Sequence, residues 1–173
     1  MNAPPIALIG YRGTGKSTVA QALARRLGWD WVDADVEIEL RAGKSVAAIF
    51  ADDGEPAFRD HEAAVVEHLV RRERTVLALG GGAILRESNR RALKNCSATI
   101  WLRASVEVIF HRLQTDPTSA GRRPNLTNAG GRHEIERLLT ERRPIYAACA
   151  TLEVDTEGKT PAEIADEIVA GLG

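Results

Sequence analysis

Residues 10–17 read Gly-Tyr-Arg-Gly-Thr-Gly-Lys-Ser, which fits the spacing GxxxxGK[ST]. No other stretch narrows the fold as much, because this motif requires a strand before it and a helix after it. Both are legible. Ile6-Ala7-Leu8-Ile9 is a short apolar run, and residues 17–27 carry a helical pattern. The glycines at 10, 13 and 15 permit a tight turn with N–H groups aimed inward at an anion. The following helix adds the positive end of its dipole. Lys16 has the reach for β- and γ-phosphates, and the Ser17 hydroxyl can ligate Mg²⁺.

Apolar runs then alternate with helical patterns along the rest of the chain. The pattern predicts strands over 6–9, 31–33, 75–79, 98–102 and 152–155. It predicts helices over 16–27, 36–42, 46–50, 55–72, 87–95, 106–114, 132–148 and 161–172. Ser105 reads as an N-cap, and Thr160-Pro161 as a cap followed by proline at the first helical position. Such alternation implies a mostly parallel sheet covered on both faces, with ligands at the carboxyl ends of its strands. One domain is the simplest reading of 173 residues. A net charge of −1 gives no general attraction to nucleic acid or to acidic membranes. The start, Met1-Asn2-Ala3-Pro4-Pro5, has the basic and apolar regions of neither a signal peptide nor a membrane span. Cys96 and Cys149 have no metal-ligand spacing, so two free thiols in a reducing cytoplasm are expected.

Five further places carry chemistry. Asp33 and Asp35 end the second strand; alternation would set both carboxylates on one face, suited to a Mg²⁺ shell and to a hydroxyl-binding or proton-accepting group. Helix capping by Asp35 is the competing reading. Gly80-Gly81-Gly82 follows the third strand, where an ordinary Walker B strand would end in an acid. Glycine there permits close approach of a ligand to the backbone. The absent acid leaves the metal role to Asp33. In Phe58-Arg59-Asp60-His61-Glu62, Arg59 and Glu62 are helical i, i+3 neighbours, and a fixed guanidinium can grip a carboxylate in bidentate fashion. In Arg142-Arg143-Pro144-Ile145-Tyr146 the proline is expected to kink or end the helix near Arg143 and so aim Arg142. Residues 115–131, TDPTSAGRRPNLTNAGG, break the alternation; this long irregular stretch with Arg122 and Arg123 reads as a lid.

Together these residues resemble the shikimate kinase family, within the nucleoside-monophosphate-kinase-like group of P-loop proteins. The resemblance runs over about 6–172 and rests on GYRGTGKS, VDADVEIE, IFADDGEPAFRDHE, LALGGGA, RRPNL, RRPIY and VDTEGKTP in this order. It implies a three-layer αβα fold with a five-stranded parallel sheet in order 2-3-1-4-5, a substrate-binding region at about 34–60 and a mobile lid. It implies an ATP-dependent transfer to the 3-hydroxyl of shikimate, on the route to chorismate and the aromatic amino acids. Gly13, Thr14, Gly15, Lys16, Ser17 and Thr18 would hold ATP phosphates, with Ser17 and Asp33 around Mg²⁺. Asp35 would bind shikimate hydroxyls and act as base. Arg59 and Arg142 would hold the carboxylate, and the turn at Gly80, Gly81 and Gly82 would offer its backbone, Gly81 meeting a hydroxyl. Phe50 and Phe58 would shape the ring pocket, Arg123 would close on the phosphates, and Arg112 and Lys159 would flank the adenine. A cytoplasmic monomer is expected. The lid departs from the family in reading PNL where many members have PLL.

A gluconate kinase-like enzyme is the nearest rival, since its substrate is also a hydroxylated carboxylate. A nucleotide-binding module without chemistry is the rival from another class. The two arginines and the glycine turn favour shikimate over gluconate. The joint presence of Lys16, Asp33, Asp35, Arg59, Arg123 and Arg142 favours an enzyme.

Overall fold

Two strands are buried along their whole length: β1 (Ile6–Ile9) and β3 (Thr75–Ala78). Strands apolar on both faces need a layer on each side, and the computed structural model, which describes residues 2–116 and 131–173, provides both. With β2 (Asp30–Asp33), β4 (Ala98–Arg103) and β5 (Leu152–Asp155) they form a parallel sheet in the order β2-β3-β1-β4-β5. The order expected from the resemblance is the one found. The helices are α1 (Lys16–Leu27), α2 (Ala34–Ala42), α3 (Val46–Leu69), α4 (Glu87–Leu93), α5 (Val106–Thr115), α6 (Gly131–Cys149) and α7 (Pro161–Leu172). The lid expected over 115–131, with Arg122 and Arg123, lies outside the described residues except for Thr115, Asp116 and Gly131.

Alternation along the strands divides the core. Ile6 and Leu8 of β1 face the same way as Val76, Ala78, Ile100 and Leu102, and pack on Val19 and Leu23 of α1 and Ile164 and Ile168 of α7. Ala7 and Ile9 face the other way, with Leu77, Leu79 and Trp101, onto Phe58 and Val65 of α3 and Leu138 and Tyr146 of α6. Local signals fix the helix starts. Ser45 Oγ accepts from Ala48 N at 3.1 Å, Ser105 Oγ from Val108 N at 3.3 Å, and Thr160 closes a reciprocal capping box with Glu163. Cys96 and Cys149 are free thiols, and burial pushes Cys96 up to about 12. Among the described residues no helix is long and apolar enough to cross a membrane.

One expectation is corrected. Asp33 ends β2 and caps α2, its Oδ1 accepting from Asp35 N at 2.9 Å and Val36 N at 3.4 Å. Asp35 therefore lies in the first turn of a helix and not on the strand: capping outcompetes strand alternation there. Of the kink or end expected near Arg143, the end is not found: α6 runs through Pro144 to Cys149, over the span expected for it. The two helices expected over 46–50 and 55–72 are found: they meet at the non-helical Gly54 within the span called α3, and the second ends at Leu69.

Gly54 has φ 85° and ψ 171°, a conformation open essentially to glycine alone. Phe50 and Phe58 stand on opposite sides of this bend. Eight residues of straight helix would separate them by about 12 Å along the axis; their rings stack with centroids 4.6 Å apart. Gly54→Ala meets no steric obstacle nearer than Pro56 Cδ at 3.7 Å, so its cost is backbone strain. We expect about 1–3 kcal/mol of lost stability, seen as a lower midpoint in urea unfolding with an unchanged slope.

Candidate active site

The loop between β1 and α1 builds an anion cradle. Gly15, at φ 86°, caps α1 without a side-chain hydrogen bond, and the first turn of α1 contains no acid. The N–H groups opening that helix are thus left for a ligand of negative charge. Thr14 Oγ1 donates to Tyr11 O at 2.7 Å and pulls the loop inward. Lys16 is buried, and its Nζ donates to Gly10 O at 2.7 Å and to Tyr11 O at 2.9 Å. The cradle opens onto a cleft of about 610 Å³. Its walls include Arg12, Lys16, Ser17, Asp33, Asp35 and Arg112, with Gly80 and Gly81 at its far side. Gly13, Gly15 and Thr18 also line it, whereas Thr14 backs onto a separate cavity of about 410 Å³.

Ser17 Oγ donates to Asp33 Oδ2 at 2.6 Å, which joins the start of α1 to the end of β2. These two hard oxygen donors, at the mouth of a phosphate-type cradle, fit Mg²⁺, which takes few protein ligands and keeps water and phosphate oxygens. Among the described residues no cluster of three or more His, Cys, Asp or Glu could enclose a metal on its own. Asp35 lies one helical step further along the same wall.

The three glycines after β3 are the meeting point of two distant arginines. A Cβ on Gly82 would lie 2.6 Å from Arg59 Nη1, so the guanidinium rests directly on this residue. A Cβ on Gly81 would lie 3.6 Å from Arg142 Nη1. Arg59 is buried and pairs with Glu62 at 2.7 Å and with Glu55 at 3.4 Å; the guanidinium also stands 5.3 Å from the Phe58 ring centre. Arg142 is buried too, 5.7 Å from the centre of the Tyr11 ring. Burial pushes the Tyr11 phenol up, opposed by the charges of Arg12 and Arg142. Phe50, Phe58, Arg59, Gly82 and Arg142 are not among the described residues that line this cleft; Arg59 rests on Gly82 and Arg142 approaches Gly81 beside it. Of the two residues expected at the adenine, Arg112 reaches the cleft, its Nη1 donating to Gly13 O and Thr156 Oγ1, both at 3.2 Å. Lys159 is engaged elsewhere, with Asp155 O at 2.9 Å and Glu167 Oε2 at 2.7 Å.

Three participants escaped the sequence reading. Arg12 occupies an unspecified position of the loop motif yet lines the cleft. Tyr146, fully buried, donates its hydroxyl to Gly81 O at 2.5 Å and stacks on Trp101. Asp116 closes one end of the cleft. Only Tyr146 had a local signal, as a large polar aromatic one turn beyond Arg142 on the same helix.

The double use of Asp33 gives a stability prediction. Asp33→Ala removes both the α2 cap and the Ser17 acceptor and should cost about 1 kcal/mol. Asp33→Asn keeps a capping oxygen and should lose at most half as much. Thermal unfolding of the unliganded proteins checks this; equal losses would mean that charge, not capping, sets the effect.

Comparison with known proteins agrees with this geometry. The family model for shikimate kinase matches residues 12–172. A shikimate kinase from Rhodopirellula baltica is 45% identical over 162 residues, covering 94% of this chain and 87% of that relative. A solved shikimate kinase from Acinetobacter baumannii, in complex with shikimate, superposes with a TM-score of 0.91 at 34% identity, covering 98% of this chain and 93% of that one. A gluconokinase from Sinorhizobium meliloti superposes with a TM-score of 0.59 at 23% identity, which reflects the shared fold alone. With a phosphate cradle, an acidic pair and two arginines meeting at one glycine turn, the chain belongs to the shikimate kinase family.

Proposed function

We propose that this chain transfers the γ-phosphate of ATP to the 3-hydroxyl of shikimate, giving ADP and 3-phosphoshikimate for aromatic amino acid biosynthesis. One observation carries the substrate choice. Arg59 and Arg142, from α3 and α6, converge on successive glycines next to a phosphate cradle. Paired guanidiniums beside a backbone turn suit a carboxylate that also carries hydroxyls.

The residues divide the work. Loop N–H groups from Gly13 to Thr18 and the start of α1 bind the β- and γ-phosphates, and Lys16 places its charge among them. Ser17 and Asp33 would hold Mg²⁺, which when bound would offset negative charge on the phosphates. Arg112 braces the nucleotide end of the cleft. Arg59 and Arg142 fix the shikimate carboxylate, the Phe50–Phe58 stack bounds the ring, and Gly81 meets a hydroxyl. Asp35 then orients the 3-hydroxyl and accepts its proton as the oxygen attacks. A bond forms between that oxygen and the γ-phosphorus; the bond to the β–γ bridging oxygen breaks, and its electron pair leaves with ADP.

The direct test is ADP formation by purified protein with Mg-ATP and shikimate, run beside gluconate. Turnover with shikimate and not with gluconate is expected; the reverse would transfer the chain to the rival reading. Lys16→Ala should lower turnover by at least about a hundredfold.

For the carboxylate clamp, Arg59→Lys and Arg142→Lys should each weaken shikimate binding about ten- to a hundredfold, since a charged hydrogen bond is worth about 1.5–3 kcal/mol. ATP affinity should barely change. Gly82→Ala pushes the Arg59 guanidinium aside without removing it and should act in the same direction. Titration calorimetry with each ligand separately reads the result; a variant that binds shikimate like wild type would refute the clamp.

A further inference from the structure

We propose that Arg12 is a catalytic residue of the transfer step, a cation contributed by the phosphate loop to the acceptor side of the phosphoryl group in flight. The inference rests on the shikimate kinase reading and adds a role to that same cleft.

Position is the first argument. Arg12 lines the cleft together with Lys16, Ser17, Asp33, Asp35 and Gly81. Within that wall it stands at the junction of two halves. Residues 15–18 form the nucleotide side, and Asp35 and Gly81 the acceptor side. The junction is a tight contact: the backbone N of Arg12 lies 3.2 Å from where a Cβ of Gly81 would be. Any phosphoryl group that passes from the cradle to a hydroxyl held at Gly81 and Asp35 crosses beside this residue.

Charge is the second. Lys16 lies within the curve of the loop, on Gly10 O and Tyr11 O, and so addresses the phosphates from the nucleotide side. Arg142 stands over the Tyr11 ring and is committed to the glycine turn. Arg12 also acts on Tyr11, through a side-chain hydrogen bond and through its charge, so Arg12 and Arg142 flank one buried phenol. Arg12 is half-buried, which allows a planar guanidinium both to keep this neighbour and to meet equatorial phosphoryl oxygens with its other donors. In phosphoryl transfer the charge on those oxygens is what positioned cations stabilise.

A catalytic role and a structural one differ in what they disturb. Arg12→Ala should reduce kcat by about a hundredfold or more. The KM values for ATP and shikimate should stay within about threefold, because the interaction belongs to the transition state. Binding of ADP with aluminium fluoride in the presence of shikimate, which mimics the group in flight, should fall by a factor comparable to kcat. Binding of ADP or shikimate alone should not. Millimolar guanidinium should restore part of the activity, and Arg12→Lys, which keeps charge and side-chain length, should fall between wild type and Arg12→Ala. Thermal unfolding of each variant confirms that the folded protein is assayed. The proposal is overturned if kcat of either variant equals that of wild type, or if the loss appears equally in the ADP, shikimate and fluoride complexes. If the wild type itself fails to phosphorylate shikimate, the functional reading falls and this inference with it, an outcome distinct from normal turnover by Arg12→Ala.

Discussion

A lysine ammonium turned back on its own loop organises the cleft. Lys16 Nζ donates to the carbonyls of Gly10 and Tyr11, and Thr14 donates to the Tyr11 carbonyl through both its Oγ1 and its backbone N–H. These short bonds oblige the backbone between β1 and α1 to curl, and the curl determines where its N–H groups can aim. They also orient Tyr11, whose ring passes under Arg142, and bring Arg12 against Gly81. The cradle and the part of the cleft wall at Gly81 are therefore built from the same few residues. Ser17 extends the connection sideways by bonding Asp33 across to β2.

The glycine turn after β3 is the second fixed point, and it works by lacking side chains. Arg59 fills the space a Cβ of Gly82 would need, and Arg142 approaches Gly81. Tyr146 ties the Gly81 carbonyl to α6, the helix that also carries Arg142. One hydrogen bond thus sets the spacing between an arginine and the backbone it serves. Glu62 does the same for Arg59 within α3, in a buried pair where losing one partner would leave an uncompensated charge.

Much of the fold was legible because the strands at the centre of a parallel sheet must be apolar on both faces. Ile6–Ile9 was readable to the residue on this ground; the edge strand Leu152–Asp155 was readable too, without apolar faces on both sides, and Pro161–Leu172 was marked at its start by Thr160 and proline. The misreadings arose where two local signals competed. In Val32-Asp33-Ala34-Asp35, alternation suggested a longer strand, but the Asp33 carboxylate found two helix N–H groups. Pro144 signalled a kink or an end to α6, and the helix runs on through it to Cys149. In the site, the motif specified glycines, Lys16 and Ser17, and these were found at once. Arg12 fell on a position that the motif leaves open. The bond from Tyr146 to Gly81 joins residues far apart in the chain, and no spacing rule reaches that far.

The bend at Gly54 has a consequence for how such a binding region can change over evolutionary time. Because Phe50 and Phe58 stack across it, the two halves of α3 are held in one rotational phase. Inserting or deleting a single residue between them would turn one half by about 100° relative to the other. One ring would leave the stack, and Arg59 next to it would swing off Gly82. Length variation, the usual raw material of loops, is closed to this segment. Variation here is left to the exchange of one side chain for another, at constant residue count.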